Sequence, residues 1–217
     1  MRQYLELVKV PDTLSIALKT SSRDASVPSG FVCEGAGLIA KGRTIWITGL
    51  SGAGKSTLAM ELSGRLRALG EAVVLLDGDE LRAVFGAVAA TAQNHSREAR
   101  LALAMQYAHL CRIVANQGLT VVIATISLFR EVHAWNRKNL PGYFELYLKV
   151  PVEELRRRDP KGIYRRFDVG ELTEVAGLDL SIDEPESSDW VAEYVPGQTV
   201  EALADELMTQ LMEIKSA

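Results

Sequence analysis

Eight consecutive residues limit this chain more than any other feature. Gly49-Leu50-Ser51-Gly52-Ala53-Gly54-Lys55-Ser56 fills the pattern G-x-x-x-x-G-K-[ST] at every fixed position. The spacing has a physical reason. Glycines let the loop curl so that successive backbone N–H groups point inward at phosphate oxygens. The helix expected after it adds its positive N-terminal end. Lys55 then reaches the β- and γ-phosphates, and Ser56 ligates the magnesium ion. From ordinary residue frequencies, a chance match is expected in roughly one chain of this size in a hundred, or fewer. The surroundings agree. Thr44-Ile45-Trp46-Ile47-Thr48 reads as a strand before the loop, and Ser56–Leu69 carries Leu58, Leu62 and Leu66 at near-helical spacing after it.

The pattern of strand then helix continues. Ala72–Leu76, Leu119–Ile126 and Tyr143–Val150 are apolar runs of strand length, and Trp190–Tyr194 is a weaker one. Helical spacing covers Glu98–Asn116, a short piece at Val152–Arg158, and Val200–Ile214 with Leu203, Leu207 and Leu211 on one face. Several strands are apolar on both faces, as a parallel sheet covered by helices requires. The expected fold is therefore α/β: a P-loop NTPase-type three-layer fold with a mostly parallel five-stranded sheet flanked by helices. Residues 1–42 read differently, with short apolar runs and a Ser/Pro/Gly-rich stretch at Thr20–Gly30. They are expected to form an extension of unknown role, with the nucleotide-binding domain over 43–217. The whole chain of 217 residues suits one such domain plus a short extension.

Composition narrows the function. A net charge of −4 argues against a broad electrostatic grip on nucleic acid. The longest apolar stretch, about Leu119–Phe129, is too short to span a bilayer, and Met1-Arg2-Gln3-Tyr4 leads into no apolar signal segment. Cys33 and Cys111 lie far apart and suit a reducing cytoplasm. His95, His109 and His133 are scattered and read as surface or internally bonded side chains. A GTPase would show Asn-Lys-x-Asp; here Asn136 is followed by Arg137 and Asn139 by Leu140. That favours ATP and a kinase-like role.

A second group of residues follows the second strand. Asp77-Gly78-Asp79-Glu80-Leu81-Arg82 falls where ligands bind in open α/β sheets, at the C-terminal edge. A carboxylate there holds magnesium-bound water or orients an attacking hydroxyl, and Arg82 offers a two-pronged donor to a phosphate. The alternative is a capped helix start with Asp79 as the N-cap. Standing after a P-loop, the functional reading leads. Arg156-Arg157-Arg158-Asp159-Pro160-Lys161-Gly162 is a basic run on a hinged loop, which phosphoryl transfer uses to meet charge on the transferred group. Arg158 and Lys161 are read as functional, and Arg156 as a solvated helix end.

Together these residues resemble the adenylylsulfate (APS) kinase family. The resemblance rests on Thr44 to Thr57, on Leu76-Asp77-Gly78-Asp79 with Arg82, on Ile126-Ser127, on Arg158-Asp159-Pro160-Lys161-Gly162-Ile163-Tyr164, and on Gly177 with Pro185-Glu186. It implies a P-loop kinase that moves the γ-phosphoryl of ATP to the 3′-hydroxyl of a nucleotide ribose, with APS as the default acceptor. On the ATP side it implies Gly49, Leu50, Ser51, Gly52, Ala53, Gly54, Lys55, Ser56, Thr57 and Arg158, with Ser56 on Mg2+. On the acceptor side it implies Asp77, Asp79, Arg82, Arg97, Arg100, Ile126, Ser127 and Lys161. Asp79 falls near the attacking hydroxyl, and Arg82 and Arg97 at the 5′ phosphate end. Catalytic work falls to Lys55, Asp79, Ser127 and Lys161. The family's serine is often named as a phosphoryl acceptor. Direct in-line transfer needs no covalent step, so Ser127 is read as a hydrogen-bonding residue. ATP and a nucleotide are the expected partners, with no nucleic acid or membrane, and the resemblance is compatible with a homodimer.

The chain departs from that family in how it would read a base. APS kinases clamp adenine between two aromatic rings. Here the first region is Ala89-Ala90-Thr91-Ala92-Gln93-Asn94, and Val175 stands where the second ring belongs. Arg100 takes the place of a family Asn. Stacking contributes about 1–3 kcal/mol per base, so losing both rings is expected to weaken adenine binding by about one to several powers of ten. Thr125-Ile126-Ser127-Leu128-Phe129, Trp135-Asn136-Arg137 and Tyr143-Phe144-Glu145 resemble a subgroup in surface-polysaccharide pathways, of which cytidine diphosphoramidate kinase is the known example. That resemblance implies the same reaction on a cytidine nucleotide, with Phe129 or Trp135 serving the smaller base or simply filling core. A non-catalytic ATP-binding module is the remote alternative. The joint presence of Lys55, Ser56, Asp77, Asp79 and Lys161 speaks against it.

Overall fold

Strand β1, Arg43–Gly49, is buried over its last six residues because it has a parallel neighbour on each side. In the computed structural model, which describes residues 42–86 and 96–215, these neighbours are β3 (Thr120–Ala124) and β4 (Tyr143–Lys149). Strand β2 (Val73–Asp77) lies outside β3, and β5 (Trp190–Glu193) outside β4, giving the order β2-β3-β1-β4-β5. Every pairing is parallel, one step beyond the mostly parallel sheet expected. The expectations placed on residues 1–41 and 87–95, including Cys33 and His95, lie outside the described residues.

Alternation along β1 sends its side chains into two cores. Ile45 and Ile47 join Leu58, Leu62 and Leu66 of α1 (Lys55–Ala68) and Leu207 and Leu211 of α7 (Val200–Lys215). Trp46 joins Leu81 of α2 (Gly78–Gly86), Tyr107 and Cys111 of α3 (Arg97–Ala115) and Val132 of α4 (Arg130–Asn139). This is the three-layer arrangement expected. Leu58, Leu62 and Leu66 are each at most 1% exposed, and full burial of each contributes about 2 kcal/mol. Two short helices, α5 (Val152–Arg158) and α6 (Ile163–Asp168), follow β4.

Two helices went unread in the sequence, α4 and α6, and α2 was offered only as the alternative reading of the segment at Asp79. Only Val132 and Asn136 of the ten residues of α4 are buried, so its apolar stripe is almost absent. What holds α4 is polar. Glu145 of β4 is 2% exposed and bonds to His133 Nδ1 at 2.5 Å and to the Tyr143 hydroxyl at 2.8 Å. Arg137 bonds Asp189 at 2.7 Å, and Asp189 also accepts from the Glu145 backbone N–H at 2.7 Å. A buried carboxylate with this many partners is costly to orphan, so the pairing fixes α4 against β4 and the segment entering β5. His109 packs on Trp135, with ring centres 4.5 Å apart. Among the described residues, no helix is long and apolar enough to cross a membrane.

Candidate functional site

Parallel pairing brings all five strand ends to one edge, and the chemistry-bearing residues collect there. After β1 the loop curls through Gly52 and Gly54, with φ of +79° and +98°. Gly54 is the N-cap of α1, where a side chain would cost about 1–2 kcal/mol of left-handed strain. Lys55 Nζ donates to the Leu50 carbonyl at 2.8 Å. Burial, with Lys161 nearby, lowers the Lys55 pKa to about 8. Ser56 Oγ donates to Asp77 Oδ2 at 2.6 Å, and the Asp79 backbone N–H to Asp77 Oδ1 at 2.8 Å. Burial pushes the Asp77 carboxyl up, but the Ser56 hydroxyl and the Asp79 and Glu80 amides outweigh it and hold it below the usual carboxylate range. The alternative reading of Asp79 as a helix cap is thereby corrected: Asp77 supplies the capping oxygen, which leaves the Asp79 carboxylate to the cleft.

The basic loop closes over this edge. Asp159, at φ +25°, accepts from the backbone N–H groups of Tyr164 at 3.2 Å and Arg165 at 3.0 Å, which starts α6. The Tyr164 hydroxyl donates to the Ser51 carbonyl at 2.9 Å, tying α6 to the phosphate loop. Lys161 pairs with Asp79 across the cleft. The Arg158 guanidinium lies 5.0 Å from the Tyr194 ring centre and donates to Glu154 at 2.7 Å. The resulting cleft of about 370 Å³ is lined by the loop from Ser51 to Thr57, by Asp77 and Asp79, and by Arg158 and Lys161. Arg156 pairs instead with Asp168, away from the cleft.

An apolar pocket adjoins the cleft and shares Arg82, Thr125 and Ile126 with it. Ser127 lies at its wall with φ +27° and shares a 2.8 Å hydrogen bond with Thr125. Arg100 also lines it, and donates to the Glu174 carbonyl at 2.6 Å. Burial and the neighbouring Arg82 push the Arg100 pKa down, the mark of two cations facing one space. Arg97 does not join them. It bonds Glu131 at 3.1 Å and Asp183 at 3.0 Å, and lines neither the cleft nor the pocket. Val175 is 8% exposed, its backbone N–H bonded to Asp179 at 2.6 Å. Phe129 lines the pocket; Trp135 does not. The sequence reading gave no role to Thr125, Asp159, Tyr164 or Tyr194. Position at a strand end points to Thr125, whereas Tyr194 follows β5 and nothing local marks it.

Hard oxygen donors suit magnesium, which binds through one or two protein oxygens, phosphates and several waters. The Ser56 hydroxyl and the Asp77 carboxylate stand side by side in the cleft and fit that requirement. Among the described residues, no group of three or more His, Cys, Asp or Glu forms a metal cage.

Comparison with known proteins gives a consistent result. The family profile described as adenylylsulphate kinase matches residues 41–193. Cytidine diphosphoramidate kinase of Campylobacter jejuni is 37% identical over 143 residues, which cover 66% of this chain and 81% of the relative. A probable adenylyl-sulfate kinase of Pyrococcus abyssi is 34% identical over 149 residues, covering 69% of this chain and 83% of the relative. The Mycobacterium tuberculosis APS kinase CysC, solved in complex with AMPPNP and APS, superimposes with a TM-score of 0.72 at 31% identity. That match covers 80% of this chain and 99% of the other.

Proposed function

The chain belongs to the adenylylsulphate kinase family of nucleotide kinases, phosphotransferases acting on a hydroxyl group, and from this we propose that it transfers the γ-phosphoryl of ATP to the ribose 3′-hydroxyl of a nucleotide. APS is the default acceptor of that proposal. The observation that carries it is the facing of Lys55 and Ser56 by Asp79 and Lys161 across one cleft, with an arginine-edged pocket beside it. The loop amides and Lys55 hold the β- and γ-phosphates. Ser56 and Asp77 would hold Mg2+, which when bound would supply positive charge against the phosphates. Asp79 orients the 3′-hydroxyl and takes its proton as the bond to phosphorus forms. Lys161 and Arg158 meet the charge on the transferred oxygens. Arg82 and Arg100 hold the acceptor's 5′ anionic chain, and Ser127 and Ile126 line the space for its sugar. A cytoplasmic setting, where ATP is plentiful, suits this chemistry.

A second acceptor is favoured by a specific observation. Val175 stands buried where an adenine-stacking ring belongs, and the relative from Campylobacter jejuni is named for cytidine diphosphoramidate. The same reaction on a cytidine diphosphoramidate-like nucleotide is therefore the alternative, with a role in surface-polysaccharide modification. The test is a screen of nucleotide acceptors by ATP consumption. Turnover of APS at ordinary kinase rates supports the default, and turnover of the cytidine nucleotide alone supports the alternative. ATP binding with no transfer to any nucleotide would overturn both.

A further inference from the structure

Of the two rings offered for a smaller base, Phe129 and Trp135, only Phe129 lines the acceptor-side pocket. Phe129 stands just before α4, 7% exposed, at the wall of the arginine-edged pocket. The Arg97 guanidinium lies over this ring, 5.4 Å from its centre. Arg97 is held in place by Glu131 and Asp183, and Asp183 is itself fixed by its backbone N–H to the Leu128 carbonyl at 3.0 Å. One face of the ring thus carries a tethered cation, while the ring also borders the pocket.

A ribose whose 3′-hydroxyl meets Asp79 has to send its base and its 5′ chain past Arg82 and Ile126, into this pocket. The anionic chain is matched by Arg82 and Arg100, so the base is left to the apolar wall. Val175 and Trp135 do not reach that wall. Tyr107 does, but its hydroxyl is spent on the Gly78 carbonyl at 3.3 Å and its ring packs toward Phe85. Resting on the nucleotide-kinase reading, we propose that the acceptor's base stacks on Phe129. Arg97 is then a positioning residue that braces the ring through a cation–π contact, not a ligand of the acceptor's phosphate.

The test uses the full chain and the acceptor that the wild type turns over best, beside a base-less ribose derivative bearing the same 5′ chain. Phe129→Leu should lower kcat/KM for the base-bearing acceptor about tenfold, with the KM for ATP unchanged, and Phe129→Tyr should restore it. The base-less acceptor should not distinguish Phe129→Leu from wild type. Arg97→Gln, at the half-exposed end of the stack, should likewise penalise only the base-bearing acceptor. Equal losses on both acceptors would make Phe129 structural, or Arg97 a phosphate ligand, and overturn the proposal. An unchanged constant in Phe129→Leu would place the base elsewhere while leaving the kinase reading intact. A wild type that phosphorylates no nucleotide would remove both.

Discussion

Lys55 shows how one buried group ties stability to binding. Its pKa is lowered to about 8, so at neutral pH it is still an ammonium, poised to lose its proton just above. Between pH 8 and the ordinary lysine value the unfolded chain binds this proton and the folded one does not. This group therefore raises the stability of the ligand-free protein as pH rises through that window. In the proposed mechanism ATP is held by the charged form. The affinity for ATP should fall toward tenfold per pH unit above about 8, and binding near pH 8 should take up protons, measurable by calorimetry in buffers of different ionisation enthalpy. Lys55→Ala should abolish transfer. Asp79→Asn should cut kcat far more than it weakens ATP binding, because the role proposed for its carboxylate concerns the acceptor hydroxyl. Equal loss of both in steady-state kinetics would refute that division.

Loops at the strand ends are tied to one another as well as to the sheet. Gly177, at φ +81°, would set an added Cβ 2.8 Å from the Leu50 side chain, and Leu50 belongs to the phosphate loop. Gly177→Ala should therefore destabilise by about 1–2 kcal/mol through left-handed strain alone, and should also raise the KM for ATP by displacing Leu50. Thermal unfolding and ATP kinetics would check the two effects separately. The same coupling explains what the sequence disclosed. Strand β1, the phosphate loop and α1 announced themselves because burial on both sides and a 3.6-residue stripe write directly into residue order. Helix α4 did not, because ion pairs to Glu145 and Asp189 hold it in place of an apolar face. The acceptor pocket was legible only in pieces. Arg82, Arg100 and Ser127 were singled out, but Thr125 and the wall at Ile182 come from stretches with no shared local pattern. Arg97 kept its place in the motif, yet its carboxylate partners lie 34 and 86 residues away and turn it from the pocket.

At the scale of the whole molecule, a single parallel sheet places donor and acceptor chemistry on one edge and leaves the other to packing. The division of the chain into an extension and a kinase domain is a proposal at this scale. A chain lacking residues 1–42 should keep both its cooperative unfolding and its transfer activity; loss of either would assign the extension a part in the domain. The clasp between Lys161 and Asp79 has a bearing on fuel economy. An enzyme that waits with bound ATP risks spending it on water. In the proposed mechanism Asp79 is the proton acceptor, and while the lysine sits on it that oxygen is taken and a stray water finds no base. In that mechanism the anionic tail of the acceptor draws the lysine away and hands the freed oxygen to the sugar alcohol beside it.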